Sequence, residues 1–133
     1  MVILKKDYTL EWTKANPEYI VVFGDNLVGK GKRDGAGQAV IRDAHNSFGI
    51  PTKIAPCLRP NCFFSDKESE IVKVNSALDK LEELERDGFT IVLPHDGIGT
   101  GRAYLKTKSP IIYDIITSRL ILLHPEYLKH IDT

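Results

Sequence analysis

The sequence predicts an α/β fold in which helices cover both faces of a sheet. Two short apolar runs, YIVVF (19–23) and FTIVLP (89–94), have the composition of buried strands, and each runs into a glycine-rich loop. Segments with helical apolar spacing separate and follow these runs. Strands that alternate with helices are typical of an α/β sheet.

The composition fits one domain over residues 1–133. Of these residues 42% are hydrophobic and 27% are charged, as in a globular domain with a single core. Lys plus Arg and Asp plus Glu each total 18, so no basic field favours sequence-independent binding of nucleic acid. No apolar run has membrane length and no secretory signal is present, so we expect a cytoplasmic protein without a membrane partner. Cys57 and Cys62 are expected to be reduced thiols.

The first half of the chain reads as strand, loop and helix. Gly24 ends the strand 19–23, and apolar residues from Ala36 to Ala44 at helical spacing predict a helix over 38–46. Gly49 is the expected C-terminal stop of that helix. Residues 50–64 contain three prolines and no period, which indicates an extended segment followed by a loop.

The second half has clearer boundaries. Ser65 and Glu68 fit a capping box, and apolar residues at helical spacing continue to the stop at Asp87 and Gly88. The strand 89–94 follows. Ser109 and Pro110 then begin a third helix with a broad apolar face, and the tail after His124 is expected to form a short turn.

The two glycine-rich loops are candidate phosphate-binding sites. In open α/β sheets ligands bind at the carboxyl ends of the strands, where both loops lie. Glycine lets an anion approach the backbone N–H groups, and Lys30, Lys32 and Arg33 add positive charge. For each loop taken alone, a solvated turn is about as good an explanation. The P-loop and dinucleotide-binding patterns are absent, and no metal-ligand spacing is recognisable.

Three motifs resemble the macro domains, which bind ADP-ribose. They are IVVFGDNLVGKGKRDGAGQAVIRD, FGIPTK and TIVLPHDGIGTG, in that order. They are most similar to the branch of ADP-ribose glycohydrolases with a Gly-Ala-Gly loop. The resemblance implies a single three-layer α/β/α macro-domain-like fold with a mixed sheet.

The resemblance also implies a ligand site between the two loops. Gly35 to Gln38 would form one wall around the diphosphate and Gly97 to Gly101 the other, while Asn26 falls near a ribose-contacting asparagine. Asp25 would accept a hydrogen bond from a hydroxyl or an adenine amino group, or would cap the turn. The full set of implied ligand contacts is Gly24, Asp25, Asn26, Leu27, Gly35, Ala36, Gly37, Gln38, Thr52, Gly97, Ile98, Gly99, Thr100, Gly101 and Arg102.

The implied catalytic residues are incomplete. Lys53 matches the lysine that attacks the distal ribose carbon in the glycohydrolase branch, although an exposed surface lysine is an equally good explanation. That branch has an aspartate where this chain has Ala103. Asp34 and Asp96 are the candidate replacement acids. His95 would be a base or a structural histidine.

Two functions follow from the resemblance, neither of which uses a cofactor. The first is a binding module that holds ADP-ribose or a related nucleotide, as a reader or sequestering protein. The second is a hydrolase that removes ADP-ribosyl groups from a protein, a nucleic acid or a small molecule, so that an ADP-ribosylated macromolecule would be a partner. A third interpretation, without a nucleotide, is an α/β interaction protein; the absence of an aromatic stacking run argues against single-stranded nucleic acid as its partner.

Overall fold

A four-stranded parallel sheet forms the centre of the protein. A computed structural model describes residues 1–31 and 37–129. The strand order is β1-β4-β2-β3, and each neighbouring pair is parallel. The expected mixed sheet is therefore wrong, since no pair in the described sheet is antiparallel. The strands are β1 (Val2–Lys5), β2 (Tyr19–Asn26), β3 (Ser47–Lys53) and β4 (Thr90–Pro94).

Helices connect the strands and pack on both faces of the sheet. One face carries the larger core, in which Val22, Ile50 and Leu93 meet apolar side chains of the long helices. The other face carries Val21, Phe23 and Val92, which pack against Ile41 and the side chain of Trp12. The helices are α1 (Leu10–Ala15), α2 (Glu68–Arg86), α3 (Leu105–Lys108) and α4 (Pro110–Leu123), with 3₁₀ helices at Gln38–Ile41 and Pro60–Cys62.

The predicted strand 19–23 and helix 38–46 have different bounds in the structure. Gly24 lies inside β2, which continues to Asn26. Only the 3₁₀ helix Gln38–Ile41 forms within 38–46, followed by turns. Gly49 does not stop a helix but lies within β3, where a Cβ would be 2.6 Å from Asp25 Oδ2. Both glycines were predicted to end an element, and both lie within strands instead.

The two long helices were predicted because both have clear apolar periods, but the predicted capping box of Ser65 and Glu68 is wrong, since the N-cap of α2 is Lys67 and its capping glutamate is Glu70. Helix α2 begins at Glu68, and the carboxylate of Glu70 accepts hydrogen bonds from the backbone of Ser65 and Lys67. Helix α4 begins at Pro110 as expected. Its first turn donates to a carboxylate from another segment, Asp66, whose Oδ1 accepts from Ile112 N at 3.0 Å. The sequence pattern did not predict β1, α1 and α3.

The cysteines are paired. A disulfide joins Cys57 and Cys62, whose Cα atoms are 5.7 Å apart, so the expectation of reduced thiols is wrong. It closes a short loop after β3. Among the described helices, none has the length and apolar character needed to span a membrane.

Candidate functional site

A cleft of about 620 Å³ lies at the carboxyl ends of β2, β3 and β4. One wall is the loop that follows β2, and the opposite wall is residues 96–103 after β4. The disulfide-bonded loop contributes Pro56, Cys57 and Leu58. This is the edge of a parallel sheet at which ligands usually bind. The two glycine-rich loops therefore converge, as predicted.

The loop after β2 uses its own polar groups to hold its shape. Asn26 Oδ1 accepts hydrogen bonds from Val28 N at 3.1 Å and from Gly29 N at 2.9 Å. The Asn26 amide donates to Lys30 O at 2.7 Å. Asparagine commonly caps turns in this way. The side chain predicted to contact ribose is thus occupied within the loop.

Arg42 fixes the same loop from the neighbouring turn. Its guanidinium forms an ion pair with Asp25 at 2.6 Å and donates to Gly31 O at 3.0 Å and to Lys30 O at 3.2 Å. The group also lies over the ring of Phe23, 5.2 Å from its centroid. Each arm of this guanidinium has a protein partner, so Arg42 holds the loop in place.

Asp25 has a structural role as well. Its Oδ1 accepts from Asn26 N at 2.7 Å in addition to the Arg42 pair. The hydroxyl of Thr52 donates to the Asp25 carbonyl at 2.9 Å, across a β-bulge at the end of β2. These contacts favour the capping role over direct recognition of a ligand.

The loop after β4 is held firmly at its beginning. Gly97 N donates to Pro94 O at 3.0 Å, and the hydroxyl of Tyr127 accepts from the buried Ile98 N at 2.7 Å. The Thr100 hydroxyl donates to Asp96 O at 2.5 Å. The N–H groups of Gly97 and Ile98 are therefore hydrogen-bonded within the protein.

The following residues leave their backbone donors available. From Gly99 to Ala103, no N–H group has an acceptor among the residues that the structure describes. All five residues line the cleft. Gly99 has a φ of +78°, the left-handed conformation that helps to turn successive N–H groups toward one side of a loop. Such a run of donors suits an anion.

Gln38 connects the two walls. Its Oε1 accepts from Gly24 N at 3.0 Å, and its Nε2 donates to Gly97 O at 2.7 Å. Because one partner is a donor and the other an acceptor, the orientation of the amide is determined. Gln38 was predicted to contact the ligand, and the structure shows that its amide joins the loops.

Lys53 lies in the floor of the cleft and is only 9% exposed. Its ammonium donates to Cys57 O at 2.6 Å and lies 4.6 Å from the centroid of the Phe63 ring. Burial and the nearby charge of Arg102 lower the pKa of Lys53. Lys53 is thus a desolvated cation on the cleft surface rather than an exposed surface lysine.

Of the two acids expected to assist Lys53, only Asp96 lies among the described residues. Ala103 occupies the position of the expected aspartate, and it packs into the core with 8% exposure. Of the described residues that line the cleft, Asp25 and Asp96 carry carboxylates. Asp25 is paired with Arg42, and the Asp96 side chain is 75% exposed beside His95 Nδ1 at 3.3 Å.

Most of the predicted ligand contacts border the cleft, but not all of them. Leu27 and Ile98 do not line it, and Ile98 is fully buried. Asp34, Gly35 and Ala36 lie outside the described residues. The sequence analysis did not assign Arg42 or the wall formed by residues 56–58 to the site. Arg42 lies four residues after Gln38, a spacing that could have indicated it. The predicted contacts that line the cleft are Gly24, Asp25, Asn26, Gly37, Gln38, Thr52, Gly97, Gly99, Thr100, Gly101 and Arg102.

No group of His, Cys, Asp and Glu side chains suited to a metal ion occurs in residues 1–31 and 37–129.

Comparison with sequence families assigns the chain. A family described as "Family of unknown function (DUF7831)" matches residues 3–119. The chain belongs to this DUF7831 family. The macro-domain assignment is therefore wrong, since the matching family is a different one and spans all three motifs that suggested the resemblance. No curated protein and no solved structure matches this DUF7831 chain.

Proposed function

We propose that this DUF7831 protein binds a nucleotide of the ADP-ribose type in the cleft, as a reader or sequestering protein. Its diphosphate would lie against residues 99–103. The observation that carries the proposal is the run of N–H groups from Gly99 to Ala103 on the cleft wall, which have no acceptor within residues 1–31 and 37–129. Successive main-chain donors in a loop bind phosphate groups in many unrelated proteins.

The charge of the cleft supports an anionic ligand. Lys30, Lys53 and Arg102 border it, and none of the three pairs with a carboxylate in the described part of the chain. The carboxylate of Asp25 is neutralised by Arg42. Lys53 is the buried one of the three, and its charge is costly without an anion nearby, whereas Lys30 and Arg102 are exposed. A phosphate group would supply the missing negative charge.

The size and the remaining surface of the cleft suit a nucleotide. Small-molecule sites have volumes of about 300–1,000 Å³, a range that includes this cleft of about 620 Å³. Pro56 and Leu58 add apolar surface to the lining of the cleft. Apolar surface beside polar donors is what a base or a ribose ring needs next to a diphosphate.

Calorimetric titration with ADP-ribose tests the proposal, and Gly101→Glu is the most informative variant. A Cβ at Gly101 would meet no atom within 4 Å, so the variant should fold, while its carboxylate would repel a phosphate at the adjacent N–H groups. We expect binding by the wild type and a loss of at least 100-fold in affinity for Gly101→Glu.

Val72→Glu is the matched control. It adds the same charge on α2, where Val72 is 58% exposed and does not border the cleft, so its affinity should equal that of the wild type. The proposal fails if folded wild-type protein gives no heat with ADP-ribose. Equal affinities of Gly101→Glu and Val72→Glu would remove residues 99–103 from the diphosphate site.

A second candidate function is hydrolysis of an ADP-ribosyl group on a macromolecule or small molecule. The desolvated Lys53 in the cleft favours it, because a lysine with a lowered pKa supplies a neutral amine more readily. Mass spectrometry of an ADP-ribosylated peptide after incubation would detect released ADP-ribose. Release by the wild type and not by Lys53→Met would support hydrolysis, whereas an intact peptide bound to the wild type would support a reader.

A further inference from the structure

Gln38 is the direct bridge between the two walls of the cleft. Its side chain is half-buried and spans from the end of β2 to the loop after β4. Gly24 N is 14 residues from Gln38 in sequence, and Gly97 O is 59 residues away. One amide therefore joins the two walls beyond the last paired residues of β2 and β4, which are Val21 and Val92.

The loop after β4 also has hydrogen bonds from the N–H groups of Gly97 and Ile98, but these two bonds do not reach β2. Gly97 donates its N–H to Pro94, and the next N–H, of Ile98, goes to Tyr127. These bonds fix the loop after β4 to its own strand and to the C-terminal turn. The Gly97 carbonyl instead accepts from Gln38, which also accepts from Gly24 N in β2.

The walls approach closely at this point. A Cβ on Gly24 would be 3.7 Å from Gly99 N, the first of the unpaired donors, and 3.7 Å from Gln38 Oε1. The position of residues 99–103 relative to β2 thus depends on the contacts made at Gly24. A displacement of about 1 Å at such a site is enough to weaken a positioned interaction strongly.

We infer that Gln38 is a positioning residue that sets the separation of the two walls and thereby holds the 99–103 donors in place for the ligand. The ligand-binding part of this inference rests on the proposed function. Gln38 acts through the loops, since both ends of its amide are engaged with backbone groups. The ligand contact first predicted for it is replaced by this indirect role.

Gln38→Glu is the decisive variant because it keeps the shape of the side chain. When ionised, it places a carboxylate oxygen against the Gly97 carbonyl, where two acceptors repel each other. When protonated, its hydroxyl can donate to Gly97 O while its carbonyl accepts from Gly24 N. This bonding and the burial both favour the neutral form, so the pKa should exceed the usual value of about 4.3 for glutamate.

The expected result is a pH-dependent affinity for ADP-ribose. At pH 8 we expect Gln38→Glu to bind at least tenfold more weakly than the wild type, and we expect this difference to narrow progressively as the pH falls to 5. Gln38→Leu, which has similar size and no hydrogen bonds, should be weak at both pH values. Other charged or titratable groups surround Gln38, so the wild type is titrated at each pH as the reference. Those that border the groove on one side are Lys5, Asp7, Tyr8, His95 and Asp96, and those that line the cleft are Asp25, Lys30, Arg42, Lys53, Asp96 and Arg102.

A ligand-free measurement separates this inference from the proposed function. Hydrogen exchange of the Gly24 amide should be slow in the wild type, at least tenfold faster in Gln38→Leu, and slow again in Gln38→Glu at low pH after correction for the intrinsic rate. If ADP-ribose does not bind but this pattern appears, the proposed ligand is wrong and the bridge stands. Equal Gly24 protection in folded wild type and Gln38→Leu, or equal affinities of all three proteins at pH 8, would overturn the inference.

Discussion

The two loops that form the cleft differ in how they use their polar groups. The polar groups of the loop after β2 are hydrogen-bonded to nearby side chains, because Asn26 caps its turn and Arg42 binds two of its carbonyl groups. The loop after β4 is anchored at Gly97 and Ile98 and then leaves its next donors without partners. Both loops are rich in glycine, yet only one presents a run of unpaired donors among the described residues.

This difference shows that glycine has two roles in the site. In the loop after β4, Gly97 and Gly99 have positive φ and tight surroundings, because a Cβ would strike Leu128 and Leu105, respectively. In the loop after β2, Gly29 has a φ of +70° and open surroundings. Gly97 and Gly99 are therefore required by packing, whereas Gly29 is needed only for its backbone conformation.

Gly99→Ala and Gly29→Ala should separate these roles with the largest effect. At Gly99 the new Cβ would lie 2.9 Å from Leu105 Cγ in a left-handed conformation. Overpacking and backbone strain together should lower the free energy of unfolding by about 3 kcal/mol. Gly29→Ala has the strain alone and should lose about 1 kcal/mol. Urea denaturation measures both.

Equal losses in these two variants would contradict the comparison. The same geometry explains why Gly101→Glu is a better probe of binding than a charge at Gly99. Gly101 has no atom within 4 Å of its Cβ position, so a change in affinity there can be measured on folded protein.

The sequence predicted the parts of the fold that repeat a local pattern. Helix α4 was placed at the correct residue because proline and the apolar period both mark it. Strand β1 was missed because four residues, VILK, are too short to show alternation. Residues 38–46 were expected to form a helix, but only the 3₁₀ helix Gln38–Ile41 forms. The apolar spacing of so short a segment does not distinguish the two.

The position of the cleft could be predicted from the sequence, but the contacts within it could not. Strand ends followed by glycine indicated the cleft, since parallel strands bring their carboxyl ends together. Which N–H groups remain unpaired depends on residues far away in sequence, such as Tyr127 for Ile98. The family was misassigned because glycine-rich loops at strand ends are a general solution to phosphate binding, so their motifs do not identify one family.

Lys53 should give the next largest effect, on binding. Its ammonium faces the cleft and has a lowered pKa, because burial and Arg102 disfavour its charge. It therefore loses its proton at a lower pH than an exposed lysine, and an anion should bind less tightly as the pH rises through that pKa. Loss of one charge-assisted contact costs about 2 kcal/mol, roughly 30-fold in affinity.

Titrations of ADP-ribose from pH 7 to pH 10 measure this effect. Lys53→Met should be weak throughout, without the alkaline decrease of the wild type. The same decrease in both proteins would assign the titration to another group, and Lys53 would then make no charge-assisted contact with the ligand.

Asn26→Ala should have the smallest effect and tests whether the loop after β2 contacts the ligand through this side chain. Removing a turn cap should lower the free energy of unfolding by about 1 kcal/mol, because Val28 N and Gly29 N lose their acceptor. The affinity for ADP-ribose should fall by less than about threefold, equivalent to less than 1 kcal/mol. Thermal denaturation and calorimetry of the same sample give both values. A loss of 100-fold in affinity at unchanged stability would show that the Asn26 amide binds the ligand directly. Both loops would then contact the ligand, instead of the loop after β2 supporting the cleft and the loop after β4 donating the hydrogen bonds.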